Sequence, residues 1–135
     1  MLLTKIAKPG LMISQTWPNS RQHQGQTLRA IEAAAQLVAA LQQLELPTGI
    51  SHLTDHLRRA ADNTVLRLAE ASGRTMGNRY QHIEAAYAEN QEVQSVLFLM
   101  RMRGARIPDH VLDRADRVGG LVYGLLRSEV SRSKP

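Results

Sequence analysis

The stretch Ser51–Ser72, SHLTDHLRRAADNTVLRLAEAS, decides the fold. Its small and apolar residues Leu53, Leu57, Ala60, Ala61, Thr64, Val65, Leu68 and Ala69 recur at steps of three and four. A helix turns once every 3.6 residues, so this spacing sets them on one face over roughly four turns. Ser51 is a residue type that caps helix N-termini, and Gly73 can take the left-handed position that ends one. Gly77 closes the same short turn.

Three more segments read the same way. Upstream, Leu28, Ile31, Ala35, Val38 and Leu41 predict a helix over 24–44, stopped by Pro47 and Gly49. Downstream, Tyr80, Ile83, Tyr87, Asn90, Gln94 and Leu97 predict one over 78–102. Gly104 and Pro108 then separate it from a last helix over 108–128, striped by Val111, Leu112, Ala115, Val118, Val122, Leu125 and Leu126. Gly120 and Gly124, four apart, predict a close helix approach there. The connections are short, so neighbouring helices should run antiparallel. The expected fold is all-α: an antiparallel up-down-up-down four-helix bundle over 25–130. Residues 1–24, broken by Pro9-Gly10 and Trp17-Pro18, read as an N-terminal arm, and 131–135 as a basic C-terminal tail.

One run does not fit a lone bundle. Val96, Leu97, Phe98, Leu99 and Met100 are consecutive and cover every side of a helix. A helix apolar all round must be buried on more than one side. Val96, Phe98, Leu99 and Met100 are therefore expected to meet a sister copy in an oligomer.

Composition agrees with helices. Hydrophobic residues make up 43% and aromatic residues only 4%, so the core must come from aliphatic side chains. There is no Cys, which excludes disulfides and thiolate chemistry. The longest apolar run near the C-terminus, Val118–Leu126, is far short of the ~20 residues that span a bilayer. Met1–Ile13 lacks the apolar core and cleavage site of a secretory signal, so a cytoplasmic protein is expected.

With the helices placed, a resemblance shows. Leu57-Arg58-Arg59-Ala60-Ala61, then Leu68-Ala69-Glu70-Ala71-Ser72-Gly73, resembles the pattern Q-L-R-R-A-A then N-I-A-E-G of the four helix bundle protein family, also called the rRNA intervening-sequence protein family. Tyr80, the segment Ala86 to Glu92 and the run Val96 to Gly104 resemble its second block. The match covers about residues 25–128. Arg67 stands where the family has Asn, Ala71 and Ala88 where it has Gly, and Glu89 where it has Ser. The resemblance implies a homopentameric ring of bundles. It also implies kinship with the accessory protein of diversity-generating retroelements, a basic ring that works with a reverse transcriptase and binds nucleic acid.

Pairing the second and third helices about Thr75-Met76 sets Arg59 opposite Glu92 and predicts a buried ion pair that fixes register. His52 and His56, with Asp55 between them, could share a metal from one face, but no further His or Cys block completes a site. They read as surface histidines, and no metal or cofactor is expected. No Gly-rich phosphate loop and no Ser/His arrangement appears, so no catalytic residue is assigned.

The net charge is +5, and of the 17 basic residues only Lys5, Lys8 and Lys134 are lysines. Arginine's planar fork suits phosphate. In the expected topology one end of the bundle gathers Arg21, Arg74, Arg79, Arg127, Arg132 and Lys134, against Glu129 and Glu70. The other gathers Arg101, Arg103 and Arg106, with no acid between Val93 and Pro108. Repeated around a ring, such clusters make a strong field. The expected function is non-enzymatic binding of RNA or DNA, or of a partner such as a reverse transcriptase, through Arg74, Arg79, Arg101, Arg103, Arg106, Arg127 and Arg132. The alternative is a protein–protein scaffold whose charge serves solubility alone.

Overall fold

A computed structural model describes residues 21–46, 48–73 and 76–133. They form four α-helices: α1 (Arg21–Gln42), α2 (Ser51–Ser72), α3 (Met76–Met102) and α4 (Asp109–Ser133). A 3₁₀ turn, Thr48–Ile50, leads into α2. No strand occurs among the described residues, in line with a four-helix bundle. The arm expected over 1–24, with Trp17, lies outside the described residues as far as residue 20, and its last four residues belong to α1. The tail expected from 131 is instead helical through Ser133. The stripe of α4 extends beyond Leu125 to a buried Glu129, which holds its last turns onto the core.

Each helix packs on two others: α1 on α2 and α4, and α3 likewise on α2 and α4. The buried positions of α4 include Val111, Ala115, Val118, Val122, Leu125 and Glu129. Those of α3 include Arg79, Ile83, Ala86, Asn90, Val93, Leu97 and Met100. Both series alternate steps of four and three, the 3.5-residue repeat of interdigitating helices. Across α2 and α3, His56 meets Glu92, Asn63 meets Glu89 and Glu70 meets His82. Numbers rise on one helix as they fall on the other. Across α3 and α4, Arg79 meets Glu129 while Asn90 and Gln94 meet Ala115.

The stripes of α2 and α4 keep most of the residues read from the sequence, with Val65, Ala69, Leu112 and Leu126 only half-buried and Ala71, Ser72 and Gly119 buried in addition, while two others shift further. On α1 the fully buried residues are Thr27, Ala30, Ile31, Ala33, Ala34, Leu37 and Leu41, while Leu28, Ala35 and Val38 are only half-buried. On α3 the half-buried Tyr80, Tyr87 and Gln94 flank the core rather than fill it. Alanine-rich α1 and long α3 each offer two overlapping stripes, and packing selects the one that brings the backbones closer.

The caps also differ. Ser51 is the first residue of α2 and makes no capping bond, because the 3₁₀ turn already feeds the helix. Gly73 has φ −96°, an ordinary right-handed value. Gly104 is left-handed, with φ +92°. Gly120 and Gly124 have open space where a Cβ would stand. The close approach is at Gly119, where a Cβ would lie 2.9 Å from Gln94 Nε2 and 3.1 Å from Asn90 Nδ2. Its bare backbone lets both amides reach the Ala115 carbonyl, at 3.2 Å from Asn90 and 3.3 Å from Gln94.

Candidate nucleic-acid interface

The turn between α3 and α4 carries Arg101, Arg103 and Arg106. Its backbone is fixed by a Schellman motif, in which the Ala105 N–H donates to Met100 O and the Gly104 N–H to Arg101 O. Only a residue tolerant of positive φ fits the bend, and Gly104 supplies it. Beyond it Ala105 and Ile107 are buried, and Arg106 between them faces outward. All three arginines are exposed, and none of the ion pairs among the described residues uses them. They are free cations on an ordered backbone. Asp109, in the first turn of α4, sits where the helix dipole favours a negative charge.

In the opposite cluster, Arg79 departs from expectation. Arg79 is 6% exposed and cannot reach a ligand. Its Nε donates to Glu129 Oε1 at 2.7 Å, its Nη1 to the Ala71 carbonyl at 3.1 Å and its Nη2 to Thr27 Oγ1 at 2.7 Å. One guanidinium thus joins a residue from each of the other three helices. Burial pushes its pKa below the ordinary arginine value. The Glu129 carboxylate and two further acceptors answer the buried charge. Arg127 is exposed, with its guanidinium carbon 5.9 Å from the centroid of the Tyr123 ring, which lies 6.0 Å from that of Tyr87. Arg74 and the side chains of Arg21 and Arg132 fall outside the described residues, as does Lys134.

The expected Arg59–Glu92 pair is replaced by a relay through His56. Glu92 Oε2 lies 3.4 Å from His56 Nδ1, and Arg59 Nη2 lies 3.4 Å from the same nitrogen. A ring nitrogen either donates or accepts, so one contact is made at a time. The cluster is exposed, with Glu92 and His56 about half open to water. The register is right, but the buried ion pair of this bundle is Arg79–Glu129. A sequence signal for it existed: both residues fall on the three-and-four stripes of their helices, near the same end of the bundle.

The apolar run divides. Val96 and Met100 are buried in the chain's own core, so neither is available to a sister copy. Phe98 is 61% exposed and Leu99 44%, and Met102 at 69% joins them. Phe98 lines a groove between α3 and α4 of about 310 Å³. No group of three or more His, Asp or Glu able to hold a metal occurs among the described residues, and none of their helices is long and apolar enough to cross a membrane.

Comparison with protein-family models, with curated proteins and with solved structures gave no match.

Proposed function

We propose that this chain is a non-enzymatic, oligomeric four-helix bundle of up-down-up-down topology that binds nucleic acid through the arginines of the α3–α4 turn. One observation carries the reading: Arg101, Arg103 and Arg106 are exposed, outside every ion pair among the described residues, and held on a capped turn. Unmatched arginines on a fixed backbone suit a polyanion. The topology is supported by the inter-helix pairs, whose numbering runs in opposite senses on successive helices. Assembly, as a homopentamer by the motif resemblance, is supported by Leu99 and Met102, which a single copy leaves in water. A ring would repeat the basic turn and strengthen its field. A nucleic-acid enzyme working on the same strand is the partner that fits this reading.

The test is a gel-shift titration with RNA and DNA. The expected shift fades steeply between about 50 and 200 mM salt, since it releases counterions. Reversing Arg101, Arg103 and Arg106 to Glu abolishes it while helicity is retained. A reversed protein that still shifts nucleic acid refutes the reading and leaves a scaffold role. Sedimentation measures the assembly.

A further inference from the structure

Phe98 lines the α3–α4 groove together with the apolar residues Leu97, Leu112 and Ala115. Asp113 and Asp116 line the same groove from α4, and Arg101 lines it from α3. Both carboxylates are exposed and belong to none of the ion pairs among the described residues. On a chain with net charge +5, two unmatched acids beside an exposed aromatic ring do not suit a phosphate. They suit a flat group that carries N–H donors on its edge. Arg101 begins the run of cations that leads away along the turn.

We infer that the groove receives a nucleobase unstacked from a single strand. The Phe98 ring stacks on the face of the base. Asp113 or Asp116 accepts hydrogen bonds from the base edge, and Arg101 holds the flanking phosphate. Guanine offers two adjacent N–H donors that match a carboxylate, while uracil offers one N–H between two carbonyls that a carboxylate repels. In a duplex that edge is paired and the base face is stacked, so the groove selects single strands with guanine. This rests on the reading of the α3–α4 turn as a nucleic-acid contact and specifies the form of the ligand.

The experiment is fluorescence anisotropy with a labelled guanine–adenine repeat, its duplex and an oligo-uridine strand. The repeat is expected to bind more tightly than either. Phe98→Ala lowers its affinity at least about five-fold, the low end of measured base stacking. Phe98→Trp keeps it. Asp113→Asn with Asp116→Asn erases the preference for guanine over uracil without weakening duplex binding, since the loss of two negative charges only reduces repulsion of phosphate. If these variants bind strands as the parent does while the Arg101, Arg103 and Arg106 reversal abolishes binding, the groove is not a base site and the turn remains the contact. If the reversal itself leaves strand binding intact, both ideas fall. If Phe98→Ala breaks an oligomer into smaller particles, a sister copy fills the groove and the inference is overturned.

Discussion

Arg79 Nε donates to Glu129 Oε1 at 2.7 Å, with the two side chains 7% and 2% exposed, and this pair joins α3 to α4 at one end of the bundle. Removing one member of such a pair leaves a buried charge alone, which costs roughly 3–5 kcal/mol. Arg79→Ala and Glu129→Ala should each lower the unfolding free energy read from urea titration by an amount in that range. The double variant Arg79→Met/Glu129→Leu should recover most of the loss, because two apolar side chains bury no charge. Single variants that unfold like the parent would contradict the assignment.

Gly119 and Gly120 are neighbours with opposite expected responses to alanine. Alanine in a helix interior is worth up to about 1 kcal/mol over glycine, and Gly120 has the open space to benefit. At Gly119 the new Cβ meets Asn90 and Gln94 and displaces their amides from the Ala115 carbonyl. Each hydrogen bond lost costs about 0.5–1.5 kcal/mol. Gly119→Ala should therefore unfold below Gly120→Ala by about 1–2 kcal/mol in thermal melts. Equal melting of the two would show that the approach of α3 to α4 is looser than the amide contacts require.

Glu92→Ala should change stability by less than about 1 kcal/mol, since its partner His56 is exposed and the pair is screened by water. A double-mutant cycle of Glu92→Ala with His56→Ala measures it. A coupling as large as that at Arg79 would mean the pair is buried in solution.

Arg103→Ala should weaken nucleic-acid binding on all sequences alike and lower the slope of log affinity against log salt by about one. Anisotropy titrations across a series of salt concentrations read that slope. An unchanged slope would remove Arg103 from the contact.

Most of the helical frame was legible in the sequence, because spacing by three and four is a direct projection of helix geometry. Helices α2 and α4 carry one stripe each, and its centre was placed in both, while its edges at Val65, Ala69, Leu112 and Leu126 are half-buried. Helix α3 carries two overlapping stripes that share Ile83, Asn90 and Leu97. Aromatic Tyr80 and Tyr87 favour one stripe, while charged Arg79 argues against the other. The packed bundle nevertheless buries Arg79, since Glu129, Thr27 and the Ala71 carbonyl converge on it. That convergence depends on three other helices, and local pattern does not contain it. The same logic misplaced Val96 and Met100: five apolar residues in a row signal excess, but only the packed partner decides which of them are spare.

The basic turn was legible as charge alone. Spacing showed three arginines close together with no acid among them. It did not show that Ala105 and Ile107 are sunk into the core on either side of Arg106, or that Gly104 locks the bend.

Under the proposed function, that locked bend bears on how fast and at what entropic cost a polyanion would be captured. The guanidiniums project from main chain that is already immobile, so an arriving strand freezes few backbone torsions and need not await a rearrangement. Capture of this kind is governed by diffusion and long-range attraction. Its forward rate should respond sharply to ionic strength and only weakly to temperature.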